Sequence, residues 1–228
     1  QLGSRDFDER YPILAMYLND NWRAFRTWGV SALSPWEHGV FWKQRVELTR
    51  NARIDLPTDW GSLQRPGFSP DFLENRYERM DLAYERTDWL PTPAAESMRR
   101  NNAPLLAYLA GKPGDFTSKD HVFLPGTTVE KQIVVINNSR ETVTAECSWK
   151  LAGQKGPTPV AAGAATITTE TGQQARLPVR WGLPRDLEPG TYELAAVVRF
   201  STGSTQEDSF AVHVLPLPGR SDAQKGRG

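Results

Sequence analysis

The sequence predicts an α+β chain in which an N-terminal helix–strand–helix segment is followed by a β-sandwich. Three observations lead to this prediction: the composition changes near residue 111, apolar residues recur at helical spacing before that point, and short alternating runs dominate after it. The 228 residues allow one or two domains, and a hydrophobic content of 39% is enough for a packed core. We expect domains at 1–111 and 112–216, with a linker or disordered tail at 217–228.

Residues 9–28 are predicted to form one helix. Asp8 is a suitable N-cap, Pro12 falls in the first turn, where a missing N–H is harmless, and Gly29 ends the helix. The apolar residues recur at steps of three and four and form one face. They are Leu14, Tyr17, Leu18, Trp22, Phe25 and Trp28.

The run VSAL at 30–33 is predicted to be a buried strand. Its residues are small or apolar without polar alternation, which is typical of a strand buried on both faces, as in a parallel sheet. A second helix is predicted over 39–50. This order of elements is found in barrels and in doubly wound sheets. Because one strand cannot bury both of its faces alone, the region would need further strands from elsewhere.

The middle of the chain is predicted to be irregular over 51–92, with a helix at 70–85. A short helix follows at 92–101, where Thr92 is the cap and Pro93 occupies the first position. Residues 103–111 are then predicted to be a strand.

Residues 112–215 are predicted to be all-β. Seven short strands with turn signals between them, such as NNSRET at 137–142, are typical of a β-sandwich of roughly 100 residues. The predicted strands are 121–124, 129–137, 142–151, 164–169, 174–181, 190–200 and 208–215.

Charge and motif content exclude several classes of function. With 27 basic and 27 acidic residues the net charge is zero, so no overall field draws the chain to nucleic acid or to an anionic membrane. No apolar run approaches the roughly 20 residues of a membrane span. The single cysteine, Cys147, excludes an internal disulfide and a multi-cysteine zinc site. Because metalloprotease, serine-hydrolase and nucleotide-binding motifs are absent from the sequence, no metal or cofactor is expected.

The tryptophans suggest a carbohydrate site. Six of the eight precede residue 90, which indicates either a large aromatic core or a surface for sugar rings, whose apolar C–H faces stack on indole. Trp36 and His38 follow the predicted buried strand, where barrel enzymes place functional groups. Trp36 is a candidate substrate-binding residue that would stack on a sugar, and otherwise a core residue. His38 is a candidate donor to a sugar hydroxyl, and otherwise a capping or solvent-facing imidazole.

Glu37 is the leading candidate for a catalytic carboxylate, because it occupies the same turn. Glycosidases need two carboxylates across the scissile bond, and the sequence offers no convincing partner for Glu37. Asp20 lies on the predicted helix, and Asp55 and Asp59 lie in the irregular segment. Glu37 is therefore also a candidate ligand of a substrate hydroxyl, or a structural ion-pair partner.

Three longer segments carry a family resemblance. They are NWRAFRTWGVSALSPWEHGVFW, NNAPLLAYLAGKPGDFTSKDHVFLPGTTVEKQIVVINNSRETVTAECSWKL and LEPGTYELAAVVRF. Together they resemble the C-terminal part of bacterial glycoside hydrolases of the β-galactosidase-like, family-two-like group, in which a (β/α)₈ catalytic barrel precedes immunoglobulin-like domains. The resemblance implies that 1–111 is the terminal βα portion of a TIM barrel, with 30–36 its last strand, and that 112–216 is an immunoglobulin-like sandwich.

The resemblance also implies a function without a complete active site. In that group the two catalytic carboxylates follow the fourth and seventh barrel strands, which this mapping does not place in the chain, whereas Trp36 matches an eighth-strand aromatic residue. The chain would then contribute one wall of the sugar site, and a supporting sandwich, to a glycoside hydrolase acting on oligo- or polysaccharide. The alternative is a non-catalytic carbohydrate-binding or structural module.

The partners follow from the same mapping. We expect a carbohydrate substrate, together with a second polypeptide that carries the rest of the barrel or a homo-oligomer of this chain. Neither a nucleic acid nor a membrane is expected as a partner. Because such hydrolases are often exported, a periplasmic or secreted location is expected.

Overall fold

The computed structural model divides the chain into two compact units. The first comprises Gln1–Phe25 and Val30–Asn102, and the second comprises Arg26–Gly29 and Ala103–Gly228. The residues that the structure describes are 8–30, 33, 41–45, 86–153 and 159–218.

Within the first unit two helices and a small two-stranded sheet are described. The apolar cluster of this unit includes Tyr11, Phe41 and Ala94. The strand pair is antiparallel, with Trp42 opposite Pro91. The elements are α1 (Arg10–Thr27, whose last two residues belong to the second unit), β1 (Trp42–Gln44), a 3-10 turn (Arg86–Asp88), β2 (Trp89–Pro91) and α2 (Pro93–Asn101).

The predicted cap of the short helix α2 is confirmed. The Thr92 hydroxyl accepts a hydrogen bond from the Ala95 backbone N–H at 3.4 Å and donates one to the Phe41 carbonyl oxygen. Pro93 occupies the first turn of the helix, where no N–H is required. Further along α2, the Asn101 amide donates to the Asn19 side-chain oxygen of α1 at 2.6 Å.

The prediction of an α+β chain that opens with the terminal βα portion of a TIM barrel is wrong, because the described residues are mostly β, with two α-helices and ten strands. Val30 and Leu33 are not in a strand, and Val30 is 42% exposed, whereas a strand buried on both faces would hide it. Within the predicted helix 39–50, the described residues 41–45 contain β1 instead, which pairs antiparallel with β2. The cause is the shortness of the apolar run, because four residues cannot distinguish a buried strand from an irregular segment.

The second unit contains two packed sheets, in agreement with the predicted β-sandwich. One sheet has the order β4-β10-β9-β6-β7 and the other the order β3-β5-β8. Within both sheets the neighbours are antiparallel, except that β4 and β10 run parallel. The strands are β3 (Leu105–Ala110), β4 (Val122–Phe123), β5 (Thr128–Asn137), β6 (Val143–Gly153), β7 (Ala161–Thr169), β8 (Gln173–Gly182), β9 (Gly190–Phe200) and β10 (Thr205–Val214).

The core between the sheets is built from alternate residues of the long strands. Ile133 of β5 and Leu194 of β9 belong to one buried cluster. Trp149 of β6 and Trp181 of β8, which come from different sheets, have ring centroids 5.1 Å apart and planes tilted by 30°. Cys147 lies in the same cluster, and burial raises the pKa of its thiol to about 11.

The edge strand β3 is fixed by two side chains of β10, which belongs to the other sheet. The Gln206 side chain accepts a hydrogen bond from the Ala107 N–H at 2.7 Å and donates one to the Leu105 carbonyl oxygen at 2.8 Å. The Asp208 carboxylate accepts from the Leu109 N–H at 2.8 Å. These contacts, which we call the β10 clasp, satisfy three backbone groups of β3 that do not face β5.

Replacing Gln206 by leucine is expected to lower the free energy of unfolding by about 2 kcal/mol, because a buried N–H loses its acceptor and a carbonyl its donor. Urea denaturation followed by tryptophan fluorescence measures the change. Ser209→Ala is the matched control, since Ser209 is exposed on the same strand and should change stability by less than about 0.5 kcal/mol. Equal stability of Gln206→Leu and the wild type would show that the two Gln206 hydrogen bonds contribute nothing.

Candidate functional site

The three residues predicted to form the site, Trp36, Glu37 and His38, lie outside the residues that the structure describes. Their proposed roles in catalysis and sugar binding therefore stay predictions. The described residues nearest to them along the chain are Leu33 and Phe41.

An aromatic and basic cluster lies at the end of α1, within the second unit. Trp28 is 62% exposed, and its ring meets that of Phe116 edge to face, with centroids 5.5 Å apart. The guanidinium carbon of Arg176 lies 5.3 Å from the Phe116 ring centroid. We call Trp28, Phe116 and Arg176 the Trp28 cluster. An exposed indole beside a guanidinium offers both a stacking surface and hydrogen-bond donors.

The last residues of α1, Arg26 and Thr27, are held against the three-stranded sheet, and this fixes the backbone that leads into Trp28. The Thr27 hydroxyl lies 2.6 Å from the Tyr108 hydroxyl of β3, and the Gln174 amide of β8 donates to the Thr27 carbonyl oxygen at 3.0 Å. Arg26 donates to the Ala103 carbonyl oxygen at 2.7 Å, and burial lowers the pKa of its guanidinium. Gly29 then ends the helix with a φ of +86°, a conformation that glycine adopts readily.

Sequence reasoning did not find Phe116 or Arg176. The sequence shows Phe116 in the loop after β3 and Arg176 as one of several polar residues on β8. No periodic pattern connects them with Trp28, because the contact depends on how the helix end meets the sheet. The excess of early tryptophans is the one sequence signal that pointed to this part of the molecule.

A second cluster surrounds a lysine inside the sandwich. Lys131 of β5 is only 1% exposed, and its ammonium donates a hydrogen bond to the Asp120 carbonyl oxygen at 2.8 Å. The same nitrogen lies 4.2 Å from the centroid of the Phe210 ring. His121 stacks on that ring with centroids 4.2 Å apart. The lysine therefore connects the segment before β4 to the ring of Phe210 on β10 through charge-assisted and cation–π contacts.

The pKa of Lys131 is lowered mainly by burial of its side chain. Loss of hydration lowers the pKa of the ammonium to about 8, and the nearby Asp120 carboxylate partly opposes this shift. A hydrogen bond from Ser118 in turn lowers the pKa of Asp120. A lysine with a lowered pKa is chemically reactive when accessible, but the Lys131 side chain is almost completely enclosed. We therefore assign Lys131 a structural role.

An open groove of about 340 Å³ lies over the last residues of β6, the first residues of β9 and the middle of β10. The Tyr192 hydroxyl, at its wall, donates to the Glu188 carbonyl oxygen at 2.7 Å. Glu193 contributes the one carboxylate among the groove's lining residues. Those residues are Ala152, Gly153, Thr191, Tyr192, Glu193, Ser209 and Ala211.

The described part of the chain contains neither a metal-binding cluster nor a membrane-crossing helix. No three histidine, cysteine, aspartate or glutamate side chains in that part come close enough together to hold a metal ion. No helix in it is both long and apolar enough to cross a membrane.

Comparisons with known proteins define no family. No family model and no curated protein matches the chain. Three solved structures show a weak likeness, and the first is a CARDB domain from Pyrococcus furiosus in complex with di-metal ions, with 17% sequence identity and a TM-score of 0.36 over 49% of this chain and 87% of that one. The sporulation control protein Spo0M from Bacillus subtilis has 12% identity and a TM-score of 0.32 over 48% of each chain. A family 123 glycoside hydrolase from Clostridium perfringens has 15% identity and a TM-score of 0.34 over 50% of this chain and 28% of that one. The chain spans less than half the length of the last two. The resemblance to β-galactosidase-like hydrolases therefore stays a prediction.

Lys131→Met is expected to remove a pH dependence of stability. The pKa of Lys131 is about 8 in the folded state and about 10.4 in the unfolded state. Between these two pH values the unfolded state binds more protons than the folded state, so the stability of the wild type rises with pH. From pH 7 to pH 10, the free energy of unfolding of the wild type should therefore rise by about 2 kcal/mol relative to that of Lys131→Met.

Urea denaturation at several pH values measures this difference. The raised pKa of Cys147 lowers the stability of both proteins at high pH. This effect cancels when the free energy of unfolding of Lys131→Met is subtracted from that of the wild type at each pH. Lys150→Met is the matched control, because Lys150 is exposed on β6. A difference between Lys131→Met and the wild type that is constant with pH would contradict the assignment.

Proposed function

We propose that this chain is a non-catalytic, supporting portion of a glycoside hydrolase of the β-galactosidase-like group, and that it contacts the carbohydrate through the Trp28 cluster. The observation that carries the proposal is the exposed Trp28 indole, held beside Phe116 and the Arg176 guanidinium. Pyranose rings offer an apolar face to an indole, while their hydroxyls accept from a guanidinium. The predicted binding residues Trp36 and His38 follow Trp28 closely in the chain.

An exposed face of α1 supports the view that the chain works with a further polypeptide. Ile13, Met16 and Tyr17 are spaced by three and four residues, so they lie on one face, and each is between 44% and 57% exposed. A helix of a soluble protein usually turns its apolar stripe toward a core. We propose that this face packs against the catalytic part of the hydrolase, which would supply the carboxylates.

A non-catalytic role is favoured by the carboxylates of the described sandwich. Glycoside hydrolysis needs a pair of them roughly 5–10 Å apart on either side of the scissile bond. The groove beside β9 holds a single carboxylate, that of Glu193, among its lining residues. In this proposal Glu37, the carboxylate singled out in the sequence, binds a substrate hydroxyl.

Trp28→Ala is expected to weaken the binding of soluble oligosaccharides to the full chain by about tenfold, because the stacking surface is lost. Isothermal titration with galactose- and glucose-based oligosaccharides measures the affinity. Tyr17→Ala is the matched control, since it removes an exposed aromatic ring that lies on α1 outside the cluster. Affinity that is unchanged by Trp28→Ala, or a wild-type chain that binds none of these saccharides, would contradict the proposed contact.

The full chain by itself is expected not to hydrolyse nitrophenyl glycosides, because the catalytic carboxylates are supplied elsewhere. Release of nitrophenol, followed by absorbance, measures this directly. Glu37→Gln separates the two roles of Glu37. Turnover by the wild-type chain that is lost in Glu37→Gln would overturn the non-catalytic role and make Glu37 a catalytic residue.

A further inference from the structure

Three of the four outer strands of the sandwich carry a feature that opposes pairing with another chain. Exposed strand edges are templates for such pairing unless side chains, proline, charge or shortness prevent it. The β3 edge is occupied by the β10 clasp. β8 contains Pro178, which lacks an N–H, and the charged residues Arg176 and Arg180. β4 has only two residues.

The fourth outer strand, β7, has none of these features. Its nine residues, Ala161–Thr169, read AAGAATITT and include neither a charge nor a proline. It pairs in continuous register with β6 from Ala161 to Thr169, and no strand lies on its other side among the residues that the structure describes. In an antiparallel edge strand, alternate residues direct their N–H and C=O groups away from the neighbour. β7 therefore offers an extended row of backbone donors and acceptors.

We propose that β7 is a dimerisation edge, at which two copies of this chain pair their β7 strands antiparallel about a two-fold axis. The two five-stranded sheets then join into one sheet of ten strands. The two-fold axis passes through Ala165, the middle residue of the strand. Ala164 then lies opposite the partner's Thr166. Backbone hydrogen bonds supply the contact, as in other cases of strand addition.

The composition of β7 favours a second copy over a different protein. An isologous contact brings the same residues together, so a strand with no charge meets its own copy without like-charge repulsion. The exposed residues on its outer side are small: Ala162, Ala164, Thr166 and Thr168. None of them is an aromatic or charged group that would select a partner of another sequence. Pro159 and Glu170 flank the strand and limit pairing to β7 itself.

Sedimentation equilibrium of the full chain over a range of concentrations tests the proposal. The wild type is expected to show a reversible monomer–dimer equilibrium. The double variant Ala164→Lys/Thr166→Lys places each new lysine opposite a lysine of the partner, which should raise the dissociation constant about tenfold. At about 1 M salt, where such charges are screened, the dissociation constant should return toward the wild-type value, which distinguishes repulsion from misfolding.

Ser209→Lys/Ala211→Lys is the matched control, because both residues are exposed on β10 of the same sheet and receive the same charge. Its dissociation constant should equal that of the wild type. A wild type that is monomeric at about 100 μM overturns the proposal. A dimer unaffected by the β7 variant also overturns it, and if Met16→Glu then dissociates that dimer, the contact lies on the apolar face of α1 instead.

Discussion

The β10 clasp is the constraint on which the placement of the Trp28 cluster depends. Gln206 and Asp208 extend from one sheet and satisfy the backbone of β3, the edge strand of the other. β3 in turn presents Tyr108, whose hydroxyl lies beside that of Thr27. Because Thr27 immediately precedes Trp28, the position of the exposed indole is connected through β3 to two polar side chains on a distant strand.

The strands of the sandwich could be predicted from the sequence, since one face of each is buried and the other is not. Each predicted strand after residue 112 begins and ends within three residues of an observed one, and 190–200 coincides with β9. The cap of α2 could also be predicted, because Thr92 followed by Pro93 is a local signal that needs no tertiary contact. The alternation of apolar and polar residues along a strand and the cap of a helix both depend on residues that are close together in the chain. They can therefore be recognised in one sequence without knowledge of the tertiary structure.

The small sheet of the first unit and the Trp28 cluster could not be predicted in the same way. The apolar run at 30–33 was interpreted as a barrel strand, but a run so short has no periodicity of its own. β1 spans only Trp42–Gln44, and its partner β2 is distant in sequence, so pairing of the two has no local signature. The same holds for Arg176 and Phe116, whose proximity to Trp28 arises from tertiary packing.

The tryptophan pair in the core provides the molecule with an internal optical label. Trp149 and Trp181 belong to opposite sheets with ring centroids 5.1 Å apart, so we expect their π→π* transitions to couple as an exciton pair. That coupling falls steeply with separation, so it exists only while the two layers are closed on each other. Circular dichroism of the unmodified chain can therefore distinguish parting of the layers from fraying of individual strands.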